Sequence, residues 1–248
     1  MINVFVGWDS REVPAFEVAK YSLQRRSSQP VRFFPLVRKS LEWSGLYRRA
    51  FTEADGQLID TIDGKPFSTE FSFSRFLTPL IAKKHGLTGK VLFVDCDFMF
   101  LDDVARLFDS EFNDPVAVVK HDFTPRNSHK MDGRAQQPYP CKLWSSLMLF
   151  NLDHLGWDKL TVDAVNERPG SWLHQFRWAS SVGELDPAWN FIPGHSKGKP
   201  KAVHYTEGVP IFNGYEKKPW AAEWLLEQQC FEASIGKLSE RGVTYDVV

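Results

Sequence analysis

The chain has 248 residues, enough to bury a substantial core as one large domain or two small ones. Its 30 Lys and Arg against 31 Asp and Glu give a formal net charge of -1, which argues against a general nucleic-acid binder. With 25% charged and 43% hydrophobic residues the composition is that of an ordinary globular protein, and no apolar run approaches the roughly 20 residues that span a bilayer.

The opening stretch INVFVGWD reads as a short buried strand ending at Gly7, entered with no basic leader. Val13 to Arg26 has a helical pattern with Pro14 near its start, and VRFFPLV is a second strand. Strand, helix and strand at this spacing predict a βαβ unit and a parallel sheet. Residues 41 to 70 mix Trp43, Tyr47 and two arginines with Gly and Asp, and read as irregular. FSFSRFLTPLIAKKHG predicts a helix closed by Gly86, KVLFVDCD a strand, DDVARLFD a short helix and PVAVVKH a strand. The segment 122 to 140 has the Pro, Gly and polar content of a loop. LWSSLMLFNL predicts a strand leading into a helix over DHLGWDKLTVDAVNE, KAVHY a short strand, and Pro219 to Ile235 a final helix. No repeat or linker interrupts the chain, so one α/β domain with a mixed sheet is expected. Cys96, Cys141 and Cys230 are few, odd in number and far apart, which argues against a disulfide framework. A cytoplasmic protein is expected, with peripheral attachment to a membrane surface left open.

Two strands run into acid, one at Asp9 and one at Asp95 and Asp97. Residues two apart on an extended chain point the same way, so Asp95 and Asp97 converge. Two nearby carboxylates repel unless a cation or proton lies between them, and Mn2+ or Mg2+ suits an oxygen pair while leaving positions for phosphate. An acidic strand-to-loop turn fits the same two residues. Towards the C-terminus, AVHYTEGVPIFNGYEKKPW sets His204 at a strand end and Lys218 before Pro219, a good first helical residue. A cation beside free helix N–H groups receives an anion, although a solvated lysine beside an anchored helix has the same pattern. Asn213 and Gly214 permit a tight turn nearby. A divalent ion, a histidine ligand and a lysine near a helix start together describe a diphosphate site.

On these motifs the chain resembles the GT-A glycosyltransferases, especially the glycogenin and galactosyltransferase-like family 8. VFVGWD is similar to the first nucleotide-binding strand of that family. FSRFLTPLIAKKHGLTGKVLFVDCDFMFLDDVARLF resembles its R-x-x-x-P helix, D-x-D motif and following D-[DI]-x-x-L. SSLMLFNLDHLGW and HY…G…KPW resemble its middle strand and its H-[YF]-x-G-x-x-K-P-W. The resemblance implies a GT-A, Rossmann-like fold with a central mixed, mostly parallel sheet in one domain over 1–248, nucleotide-binding to about residue 110 and acceptor-facing beyond it. It implies transfer of a hexose from a nucleotide-sugar donor, UDP-linked by family expectation, to an acceptor hydroxyl on a glycan, lipid or protein. Asp95, Asp97 and His204 would hold Mn2+ or Mg2+. Asp95 would also touch the ribose, and Lys218 and Gly214 the diphosphate. Val6, Gly7, Trp8 and Asp9 would line the nucleotide pocket, Arg75 would face donor phosphates or sugar, and Gln175 would stand near the sugar. Configuration at the anomeric carbon would be retained, by front-face attack.

The chain departs from the family pattern in three places. YTEGVPIFN lengthens the interval between histidine and glycine, so Gly208 competes with Gly214. Trp144-Ser145-Ser146 stands where the family has Asn-Ser/Ala-Gly, and His174-Gln175 where it has Asp-Gln. DPAWNF resembles a structural strand of the family. Trp43, Trp172, Trp178 and Trp189 are candidates for stacking on sugar faces. Two rival readings share the D-x-D: a phosphatase of the HAD type, in which the first Asp is phosphorylated, and a non-catalytic nucleotide or carbohydrate binder. The HAD motif continues differently where this chain has Met99, and it opens its domain, whereas a βαβ-like segment precedes it here.

Overall fold

The computed structural model describes residues 1–122 and 140–239. The first strand, β1 (Ile2–Gly7), leads into helix α1 (Val13–Arg26) and strand β2 (Val31–Leu36), and β1 and β2 pair in parallel with Ile2 opposite Val31. This is the expected βαβ unit. Pro35 is tolerated because β2 is the sheet edge, where a missing N–H breaks no ladder. Strand β2 is followed by helix α2 (Arg38–Trp43) and three short strands, β3 (Phe51–Ala54), β4 (Gln57–Asp60) and β5 (Pro66–Phe67), which form a separate antiparallel sheet.

That small sheet corrects the irregular reading of residues 41 to 70. Its hairpin turns on Asp55 and Gly56, at φ 51° and 73°, the left-handed pair that matches strand twist. The signal was present in the Asp-Gly dipeptide. The sheet is held by tertiary contacts that no local pattern announces. Arg49 forms a two-pronged buried ion pair with Asp60 (3.0 and 2.6 Å) and donates to the carbonyls of Val165 (2.9 Å) and Arg168 (2.8 Å).

The helix predicted at 71 to 86 is split. A 3-10 turn, Ser74–Leu77, precedes helix α3 (Thr78–Lys84), and Gly86 closes the segment at φ 70°. Then come β6 (Lys90–Val94), β7 (Phe98–Phe100), helix α4 (Ala105–Phe108) and β8 (Val116–Val118). The loop predicted at 122 to 140 lies, but for its end residues, outside the described residues. A 3-10 turn at Trp144–Ser146 then leads into β9 (Leu147–Asn151). The helix expected from residue 153 is confined to α5 (Val162–Glu167), where the Thr161 hydroxyl caps Ala164 N–H at 3.0 Å. In the stretch before it, Gly156 donates its N–H to His154 Nδ1 (2.8 Å) and its carbonyl accepts from Ser180 N–H (2.7 Å), which takes both groups out of a helical ladder. Helix α6 (Gly170–His174), strand β10 (Gly183–Glu184), strand β11 (Ala202–His204) and helix α7 (Ala221–Ser239) complete the chain. Pro219 stays outside α7 because Trp220 adopts φ 68° and breaks the helical path.

The central sheet has the order β10-β8-β9-β6-β1-β2. Its pairings make β9 the single strand running against the other five, so the sheet is mixed and mostly parallel. Strands β1, β6, β8 and β9 are covered on both faces, which explains continuous apolar runs such as Val91-Leu92-Phe93-Val94. A separate two-stranded sheet pairs β7 with β11, and Trp224 of α7 is buried with Met99, Val203 and Tyr205 against α1 residues Ala15 and Val18. Arg26 and Glu227 join α1 to α7 through two 2.8 Å bonds. Among the described residues no helix is long and apolar enough to cross a membrane.

Breaking the buried Arg49–Asp60 pair from one side leaves an uncompensated charge. Asp60→Asn is therefore expected to cost about 3–5 kcal/mol in urea unfolding, and Arg49→Met with Asp60→Leu to recover most of it.

Candidate functional site

Strand β6 carries its buried run straight to Asp95 and Asp97 at its carboxyl end, and Asp95 N–H extends the ladder by donating to the Ser146 carbonyl at 2.9 Å. After a tight turn β7 pairs antiparallel with β11, which puts His204 opposite Phe98. The imidazole stacks on the Phe98 ring with centroids 4.4 Å apart. One ligand atom each from Asp95, Asp97 and His204 lie within 4.8 Å of one another.

The hydrogen-bond chain behind His204 sets its tautomer. Ser146 donates its hydroxyl to the Leu143 carbonyl at 2.6 Å and so accepts from Asn190 Nδ2 at 2.9 Å. That leaves Asn190 Oδ1 as the acceptor for His204 Nδ1–H, also at 2.9 Å. The Nε2 lone pair is thereby turned to the carboxylates, 3.3 Å from Asp97 Oδ1. Two carboxylates and an imidazole lone pair converging in a buried position fit a divalent cation, since without one they repel. Asp95 keeps a partner of its own in Arg75, whose Nη1 lies 2.8 Å from Oδ1 and also donates to the Ser145 carbonyl at 3.0 Å. The Arg75 guanidinium lies over the rings of Phe71 and Phe93.

The triad opens on a cleft of roughly 210 Å³. Its other walls come from the small sheet and the turn before β5, through Phe67 and Lys65, from the segment that carries Lys142 and Ser145, and from His174 at the end of α6. His174 sits edge-on to Phe76 with Nδ1 2.9 Å from Ser145 Oγ. Burial, followed by the Arg75 and Lys142 charges, holds the ring well below the usual histidine pKa, so it is neutral at physiological pH.

Asp95, Asp97, Arg75 and His204 are thus brought together. The remaining predicted site residues do not line the cleft. Val6 and Gly7 are buried in the core, and a Cβ on Gly7 would lie 2.4 Å from the Phe71 ring, so glycine there answers a packing demand. Trp8 packs half-buried against the core. Asp9 is fully buried and accepts from Arg11 N (3.0 Å), Nε (2.9 Å) and Nη2 (2.7 Å) and from Glu70 N (3.1 Å). Burial alone would raise its pKa, but the hydrogen bonds and charge of Arg11 outweigh it and hold the carboxyl below its ordinary value. Gln175 caps the end of α6 and accepts from Arg177. Gly214 (φ 87°) donates to the Glu216 carboxylate, Gly208 (φ 137°) to the Tyr205 carbonyl at 2.7 Å, and Lys218 is exposed and paired with Glu207 at 3.1 Å. Trp178 and Trp189 are core residues, whereas Trp43 is 93% exposed. Asn190, inside the motif expected to be structural, emerges as the residue that orients His204. Its pairing in space with a histidine 14 positions later had no sequence signal.

Two outcomes follow from this geometry. Asn190→Ala is expected to lower affinity for a divalent cation, with Mn2+ as the probe, by about 10- to 100-fold in calorimetric titration, by freeing the imidazole. Asp9 contributes stability that is present above its unfolded pKa and lost as pH falls through its lowered folded value. Asp9→Asn is therefore expected to flatten the decline of urea stability between about pH 5 and pH 2.

No protein-family profile matches the chain. It is 40% identical over 238 residues to Protein CDI of Arabidopsis thaliana, a match covering 92% of this chain and 86% of that protein. Among solved structures it is similar to the glycosyltransferase GlyE of Streptococcus pneumoniae TIGR4, with a TM-score of 0.59 at 16% identity over 98% of this chain and 64% of that one. The chain thus spans just under two thirds of GlyE. The galactosyltransferase LgtC, solved with donor and acceptor sugar analogs, matches with a TM-score of 0.56 at 13% identity over 92% of this chain and 96% of that one. The chain has the fold of the GT-A glycosyltransferases and belongs to the family of Protein CDI.

Proposed function

We propose that this protein is a metal-dependent glycosyltransferase that moves a hexose from a nucleoside diphosphate sugar, UDP-linked by the family-8 resemblance, to an acceptor hydroxyl. The observation that carries the reading is the Asp95–Asp97–His204 cluster, with His204 preset to present Nε2, at the carboxyl end of a parallel strand where open α/β sheets bind ligands. Asp95, Asp97 and His204 are the residues that would hold Mn2+ or Mg2+. When bound, such an ion neutralises charge on a departing diphosphate.

The chain's own groups complete the site. Arg75 keeps a positive charge beside Asp95, where it stabilises developing negative charge on the donor. Neutral His174 and Ser145 offer hydrogen bonds to sugar hydroxyls without adding charge. Besides the triad, Asp63 is the only carboxylate on the cleft wall among the described residues. Its oxygens accept from Lys65 N (3.1 Å) and Gly170 N (3.2 Å), which ties it into the wall. With no carboxylate among the described residues poised as a nucleophile, front-face attack by the acceptor hydroxyl and retention of configuration is the mechanism we favour. The GT-A fold removes the basis for a phosphatase of the HAD type. A non-catalytic binder on this fold differs only in lacking turnover.

The test is thermal unfolding with UDP, GDP, CDP or dTDP, each with Mn2+ or with EDTA. One diphosphate at about a hundred times its dissociation constant is expected to add roughly 2.7 kcal/mol of stability, lost in EDTA. Release of that diphosphate from its sugar conjugates then measures turnover, and Asp97→Asn is expected to reduce it by more than about 100-fold with the melting temperature little changed. No metal-dependent shift with any of the four would sink the reading.

A further inference from the structure

The turn that leads into β9 is built in an unusual way. Cys141 and Leu143 both adopt left-handed backbone, at φ 63° and 69°, a conformation that non-glycine residues hold only where their surroundings enforce it. For Leu143 the enforcement comes from the site itself. The Leu143 carbonyl accepts from Ser146 Oγ at 2.6 Å and faces Asn190 Nδ2 at 3.5 Å, the same amide that orients His204. The Ser145 carbonyl accepts from Arg75, and the Ser146 carbonyl from Asp95 N–H.

Between the two left-handed residues stands Lys142. It is only 8% exposed, yet it lines the same cleft as Asp95, Asp97 and His204. Lysines normally extend their ammonium into water, so one drawn into a cleft wall concentrates positive charge there. The cleft's other lysine, Lys65, is exposed, and Lys218 is off the cleft.

A charge count over the described residues of the cleft, in which Asp63 and Lys65 offset each other, shows what this ammonium complements. Two carboxylates are offset by a divalent ion, and the donor's diphosphate brings two further negative charges against the single one on Arg75. One negative charge is left over, and it grows as the nucleoside diphosphate departs. Resting on the glycosyltransferase reading, we propose that Lys142 is the residue that takes the charge of the donor's diphosphate, the role that the family resemblance assigns to Lys218. As the bond from the anomeric carbon to the diphosphate oxygen breaks, its electron pair stays on that oxygen. The acceptor oxygen forms the new bond to the same carbon, and its proton passes to the departing phosphate. Lys142 stays protonated throughout and donates a hydrogen bond to the leaving group.

The experiment is calorimetric titration, in Mn2+, of the wild type, Lys142→Met, Lys142→Arg and Lys218→Met with UDP, GDP, CDP and dTDP, and with the monophosphate of whichever binds. Lys142→Met is expected to weaken the diphosphate by roughly 10- to 100-fold, and its monophosphate far less. Lys142→Arg should restore most of the affinity, and Lys218→Met should change it by no more than about 5-fold. Lys142→Gln serves in place of Lys142→Met if the latter fails to fold. Wild-type diphosphate affinity in the neutral Lys142 variant would overturn the assignment. So would equal losses for mono- and diphosphate that Lys142→Arg does not repair, or a loss that falls on Lys218→Met instead. A wild type that binds none of the four diphosphates refutes the glycosyltransferase reading itself, and this assignment with it.

Discussion

The structure turns on one electrostatic constraint: Asp95 and Asp97 are driven by a fully buried strand to a common point inside the protein, where like charges cannot stand alone. Everything nearest to them relieves or exploits that repulsion. Arg75 answers Asp95 directly, from a 3-10 turn that an uninterrupted helix would not provide. His204 arrives from a strand more than a hundred residues on, and its lone pair adds to the demand for a cation. The site is therefore built to be completed by positive charge, and a folded chain tolerates this because surrounding hydrogen bonds hold each ligand in place.

That holding is done by a small polar network at the start of β9. Ser146, Asn190 and the Leu143 carbonyl fix the His204 ring, and the same turn fixes Arg75 through the Ser145 carbonyl. Because β9 runs against its neighbours, its first residues lie beside the last residues of β6, with Leu147 opposite Val94. A parallel strand there would have delivered its other end. The single reversed strand is thus what brings Lys142, Ser145 and Ser146 to the acidic end of the sheet.

The wall facing the triad is assembled differently. The three-stranded sheet has little core of its own, and the Arg49–Asp60 pair and its bonds to the carbonyls around α5 bind it to the main body. On the side where β1 ends, Asp9 serves the same kind of purpose, clamping Arg11 and the Glu70 backbone rather than facing the cleft. Fixed walls of this sort limit the rearrangement a ligand must drive.

Strand β1, the bounds of α1, the buried run of β6 and the acidic pair at its end are legible in the residues alone, because each rests on periodicity or burial expressed within a few neighbouring positions. So is the place of His204 at the end of a short strand. Which strand runs backwards, the pairing of residues 51 to 67 into a sheet, and the start of α7 beyond Pro219 are settled by long-range packing. It likewise settles that Asp9 is a clamp, that Asn190 orients the histidine, and that Lys142 rather than Lys218 lines the cleft. These features depend on contacts between segments far apart in the chain. Left-handed backbone at Cys141, Leu143 and Trp220 is the clearest case, since no local preference of those side chains favours it and only their packed surroundings hold it.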